Sequence, residues 1–227
     1  MSGTPLPENS YGHLETFRLP SDRSAHIPGG KPPPRHQAGD PFIKGPIPFE
    51  WMSVACRLLG SGLHVAMLSQ FLCCRYPSPN RWGLDAIAQE LNLSRNSTRR
   101  GLHQAEQAGL LIVDREPGCK LAISISSPSG FASKPFQRPL YGPIPWDWWQ
   151  IASHRPGKTL QVAAVCWLLA GWERSARVEL GLNDWEEFGL SRFSISAGLA
   201  ALEKSALVTT SGSRGRSPFA TLLQVVT

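Results

Sequence analysis

The chain repeats itself, and that constrains its fold more than any other feature. Gly45-Pro46-Ile47-Pro48-Phe49-Glu50-Trp51 recurs as Gly142-Pro143-Ile144-Pro145-Trp146-Asp147-Trp148, an offset of 97 residues. At the same offset Leu93-Ser94-Arg95 recurs as Leu190-Ser191-Arg192, and Gly101-Leu102 as Gly198-Leu199. Glu106, Leu110 and Gly118 meet Glu203, Leu207 and Gly215. Anchors spread this widely without a net gap imply two copies of one folding unit, over about residues 42–127 and 139–227. A length of 227 residues accommodates two such domains.

The segments outside the repeat are different in kind. Residues 1–41 hold eight of the twenty prolines, including Pro32-Pro33-Pro34, and little periodic apolar pattern. Such a stretch buries too little surface to offset its ordering entropy, so a disordered, proline-rich arm is expected there. Residues 128–138 read as the linker between copies.

Within the first copy, Trp51, Val54, Ala55, Leu58 and Leu59 share one helical face. A more apolar helix, Leu63 to Cys74, follows and is expected to be the central buried one. After a Tyr76–Asn80 loop, Leu84, Ile87, Ala88 and Leu91 give a third helix. Ser94 then caps a fourth, from Arg95 to Ala108, which Gly109 stops. Leu110–Val113 and Leu121–Ile125 read as two strands joined by a turn at Glu116-Pro117-Gly118. The fold class expected is mainly α with small β-hairpins (α+β).

Helix, short turn, capped helix and hairpin make a winged helix-turn-helix order. Gly83 to Arg95, with Gly101-Leu102 and Ala105-Glu106-Gln107-Ala108-Gly109-Leu110-Leu111, resembles bacterial winged-helix regulators. The second copy keeps Phe188-Gly189-Leu190-Ser191-Arg192 and Leu202 to Val208, and tandem winged helices are also similar to plasmid replication initiators. The resemblance implies that the helix after each Leu-Ser-Arg turn is a recognition helix and that the hairpin behind it is a wing.

The residues themselves suit that chemistry. Thr98, Gly101, Leu102 and Ala105 would pack inward, leaving Asn96, Arg99, Arg100 and His103 on the other face with Arg95 at the helix start. Arginine reads guanine O6/N7 and asparagine reads adenine N6/N7 by paired hydrogen bonds. Against this stands the plain reading of a solvated charged face. In the second copy the equivalent positions are Phe193, Ser196, Ala197 and Ala200, with Arg192 before them. The second hairpin offers Arg214 and Arg216, the first Lys120 and Arg115 beside Asp114 and Glu116. A division of labour follows: the first copy reads bases with its helix, the second contacts DNA through its wing over residues 211–218. The alternative is that the uncharged second helix packs on the other copy or on a second subunit.

Six of eight tryptophans lie in the second copy, and Trp149 and Trp172 have no aromatic counterpart in the first. They are half-buried core, base-stacking platforms or, with Phe193, anchors for a homodimer or protein partner. The charge agrees with an anionic partner: 23 Lys+Arg against 17 Asp+Glu, a net charge of +6. The arm is neutral and each copy contributes +3.

Other classes lose support. No apolar run is long enough to cross a membrane, and the N-terminal residues lack a signal-peptide layout. The five cysteines, Cys56, Cys73, Cys74, Cys119 and Cys166, show no metal-ligand spacing and read as reduced thiols. No phosphate-loop, dinucleotide, zinc-protease or serine-hydrolase motif occurs, so neither an enzyme nor a cofactor or metal site is expected. The expectation is a cytoplasmic, nucleoid-associated, sequence-specific double-stranded DNA-binding protein regulating transcription by occupancy. A replication initiator or mobile-element factor, and a winged-helix subunit docking proteins in a larger complex, are the alternatives.

Overall fold

The computed structural model describes residues 31–76, 80–126, 139–181, 185–212 and 217–225. It is a mixed α/β arrangement of seven α-helices and small antiparallel sheets among those residues. The first copy runs β1 (Phe42–Ile43), α1 (Phe49–Arg57), α2 (Gly62–Arg75), β2 (Asn80–Trp82), α3 (Leu84–Glu90), α4 (Arg95–Gln107), β3 (Leu111–Asp114) and β4 (Leu121–Ile125). The second runs β5 (Ile144–Pro145), α5 (Trp146–Ser153), α6 (Thr159–Glu173), β6 (Arg177–Glu179), a 3-10 turn (Glu186–Phe188), α7 (Arg192–Lys204), β7 (Val208–Ser211) and β8 (Phe219–Leu222).

Each copy folds around its second helix. α2 buries nine residues, among them Leu63, Met67, Leu68 and Phe71, and in α6 every residue from Thr159 to Ala170 is buried. Neither helix has a polar stripe, as expected for an element covered on all sides. Each copy also closes with a three-stranded sheet, of order β2-β4-β3 in the first and β6-β8-β7 in the second. The edge strands β2 and β6 were not expected. Each is three residues long, too short to show alternation, and pairs with the last strand of its copy.

Matching details extend the repeat from sequence to backbone. Ser126 N donates to Leu110 O as Leu223 N donates to Leu207 O, and Leu110 N to Ala105 O as Leu207 N to Leu202 O. After the fourth helix the chain turns through Gly109 at φ +72° in one copy and Ala206 at φ +53° in the other. A left-handed residue is needed there to end the helix, and only in the first copy is it a glycine.

The two copies join through the repeated Gly-Pro-Ile-Pro segment. β1 pairs antiparallel with β5, Phe42 opposite Pro145 and Ile43 opposite Ile144, and a further bridge joins Ile47 to Leu140. Adding the repeat offset to Ile47 and removing it from Leu140 returns Ile144 and Ile43, so a local twofold relates the two contacts. Gly45 and Gly142 stand at its centre, where each lacks room for a Cβ. Phe71 stacks on Trp146 with ring centroids 4.1 Å apart, Phe49 meets Phe188 edge-on at 5.3 Å, and one apolar core runs through both copies.

Two expectations require correction. Residues 31–41 are not free: Lys31 O accepts from Ala176 N, and the Arg35 amide and carbonyl pair with the Gln224 side chain. Prolines there fix φ in advance, so ordering the segment costs less entropy than its composition suggests. Residues 1–30 and the 128–138 linker lie outside the described residues. Leu59 is 75% exposed, because α1 ends at Arg57 and Leu58 is already extended.

Candidate nucleic-acid interface

The α3–α4 pair presents the most distinctive surface. α3 ends in a tight turn at Leu91–Leu93, with Asn92 left-handed at φ +49° and Leu93 N donating to Ala88 O. Ser94 then caps α4, its Oγ accepting from Ser97 N at 3.1 Å. Thr98, Gly101, Leu102 and Ala105 are buried, as the spacing predicts. Gly101 lets α4 lie directly on α2, since a Cβ there would come within 2.9 Å of Val65 Cγ2.

Packing that face turns the other outward. Arg95, Asn96, Arg99, Arg100 and His103 are all exposed. Arg95 reaches Asp85 through a 3.4 Å surface ion pair, worth little in water. Arg99 and Arg100 form no ion pair among the described residues. Between α4 and the hairpin lies a cavity of about 380 Å³ with Leu84, Leu102 and Leu121 in its lining and Arg99, Arg100 and Arg115 around it.

The first hairpin is less cationic than its sequence suggests. Arg115 is clamped on Glu106 by hydrogen bonds of 2.7 and 2.6 Å, which hold that carboxyl below its usual range. Arg81 pairs with Glu116 at 2.8 Å, and the hydrogen bond likewise lowers Glu116. Lys120 is left as an exposed hairpin cation without an ion pair among the described residues. Arg81 was missed in the sequence because the strand that carries it was missed.

In the second copy α7 repeats the capped start, Ser191 Oγ accepting from Ser194 N at 3.2 Å. Ile195, Gly198, Leu199 and Leu202 are buried, and Arg192, Phe193, Ser196, Ala197 and Ala200 are exposed. The expected alternative, that this face packs on the other copy, is therefore not what is seen. Glu203, equivalent to Glu106, accepts from Thr210 rather than from an arginine. Arg214 and Arg216 lie outside the described residues.

The aromatic anchors also need revision. Trp149 is buried, and Trp172 is half-buried with its Nε1 donating to Pro139 O and its ring stacked on Phe49. Both are used inside the molecule, and of the three residues expected to meet a partner Phe193 is the one exposed, at 83%. Neither cysteine in the core is a reactive group: burial pushes Cys166 up to about 12 and raises Cys56 further.

Contacts between copies brace the α3–α4 pair and join α2 to α5. Trp146 Nε1 and Gln150 Nε2 both donate to Glu90 at the end of α3, at 3.1 and 3.0 Å. His64 Nε2 meets Ser153 O at 3.0 Å, and burial lowers the pKa of that imidazole. Among the described residues no group of three or more His, Cys, Asp or Glu could hold a metal ion, and no helix is long and apolar enough to cross a membrane. No family model, curated protein or solved structure matches the chain.

Proposed function

We propose that the chain is a tandem winged-helix protein that binds double-stranded DNA sequence-specifically and regulates transcription by occupying its site, without catalysis. One observation carries this reading. α4 is capped by Ser94 behind a tight turn, buries one face on α2, and presents Asn96, Arg99, Arg100 and His103 outward, both arginines free of ion pairs among the described residues. Maintaining two unpaired guanidinium groups side by side on one face costs repulsion that an anionic partner relieves. Arginine and asparagine together supply the donor forks that guanine and adenine edges accept in the major groove. A duplex of suitable sequence would then take phosphate contacts from Lys120.

The test is binding of the full chain to duplexes selected from a randomised pool, followed by gel mobility at graded salt. A linear fall of log K with log salt is expected, and Arg99→Ala should lower affinity by about tenfold or more while relaxing preference at one base pair. No duplex affinity at low salt would reject the proposal. Sequencing DNA bound in cells separates promoter sites from repeated sites at an origin or element end.

A further inference from the structure

The outward face of α7 has no base-reading charge, yet it is not covered. Phe193, Ser196, Ala197 and Ala200 are all exposed, and Phe193 sits in the first turn of a helix whose cap matches that of α4. A phenyl ring held in water there is unfavourable by itself. The cations missing from this helix come from its surroundings. The Arg57 side chain, at the end of α1 in the first copy, runs past Gly189, its Cγ 3.4 Å from where a Cβ would stand. Lys158 Nζ donates to the Gly189 carbonyl, and Arg192 precedes Phe193 on α7. None of the three forms an ion pair among the described residues.

We propose that α7 reads thymine by its 5-methyl group: Phe193 and Ala197, one turn apart, contact methyls in the major groove while Arg57, Lys158 and Arg192 meet the flanking phosphates. The inference rests on the DNA-binding reading and adds what the second copy recognises. Thymine is the base that offers a methyl in that groove, and phenylalanine and alanine are side chains that select it by apolar contact. Arg57, Lys158 and Arg192 beside an apolar strip complement a groove floor between two phosphate rails, with Glu186 and Glu187 exposed on the turn ahead of Gly189. One of the cations belongs to the other copy, so the composite surface exists only where the two copies are docked.

The experiment uses the full chain and a duplex selected by it from a randomised pool, resynthesised with deoxyuridine in place of thymidine at one position at a time. Loss of a methyl at one or more positions should weaken binding by roughly fourfold each. Phe193→Ala should abolish the methyl preference at one of these positions and leave the one set by Ala197, and Arg57→Ala should weaken the thymidine and deoxyuridine duplexes alike. Full-strength binding to every deoxyuridine duplex would overturn the inference and leave DNA binding standing. Absence of binding to any duplex at low salt would overturn both. A self-associating wild type made monomeric by Phe193→Ala in sedimentation would give the ring to a second copy and also overturn it.

Discussion

Gly45 and Gly142 occupy the same position in the two copies and face each other where the copies join. A Cβ on Gly142 would lie 2.6 Å from Gly45 N and 2.7 Å from Ile43 O, both backbone atoms with little freedom to move. Gly142→Ala should therefore loosen the junction and cost about 3 kcal/mol. Gly83→Ala is the control, because a Cβ there meets nothing within 4 Å on an extended backbone. Thermal unfolding of the pair should show a large drop for the first and almost none for the second.

Ala206 and Gly109 offer a reciprocal pair. Ala206 holds φ +53°, a conformation that disfavours any Cβ, where the first copy uses Gly109. Replacing Ala206 by Gly should stabilise the chain by about 0.5–1 kcal/mol, and Gly109→Ala should destabilise it by a similar amount. The denaturant midpoint should move in opposite directions for the two variants.

His64 gives the junction a dependence on pH. Its pKa in the folded chain lies below the ordinary value of 6.5, chiefly through burial, with His154 nearby adding to the shift. The unfolded chain then binds more protons as pH falls through 6.5, so stability is full above that value and declines below it. His64→Gln should flatten the loss of stability between pH 7 and pH 5, measured as the change in midpoint with pH.

On the proposed DNA-binding reading, the first hairpin should contribute unevenly. Lys120→Ala should lower the salt slope by about one phosphate contact. Arg115→Ala should change it less, because both its terminal nitrogens are held by Glu106. Glu106→Gln would release Arg115 and steepen the slope.

Residues with local signatures were legible in the sequence. Ser94 reads as a cap because a serine before an amphipathic run accepts the first free amide, and it caps in the structure, as does its repeat counterpart Ser191. The buried face of α4 followed from its helical spacing, as did the central place of α2. What depended on distant pairing was not legible. Asn80–Trp82 is a strand only because Leu121–Ile123 lies beside it. The segment from Lys31 to Arg35 is held by Ala176 and Gln224, far along the chain. Trp172 faces Phe49 of the other copy, a relation that spacing within one copy does not contain. The repeated Gly-Pro-Ile-Pro segment marked the duplication but not that each occurrence would pair with the residues just ahead of the other.

The β1–β5 pairing also bears on dosage. Two halves that meet about a twofold are the usual product of two chains, whose union weakens on dilution. Here one chain supplies both halves, so their local concentration is fixed by connectivity and is independent of how many molecules are present. On the proposed DNA-binding reading, occupancy of a single site by this chain should follow a simple hyperbola with a Hill coefficient of about one. A change in one half is not copied into the other, which is how Arg99 and Ser196 can stand at equivalent positions.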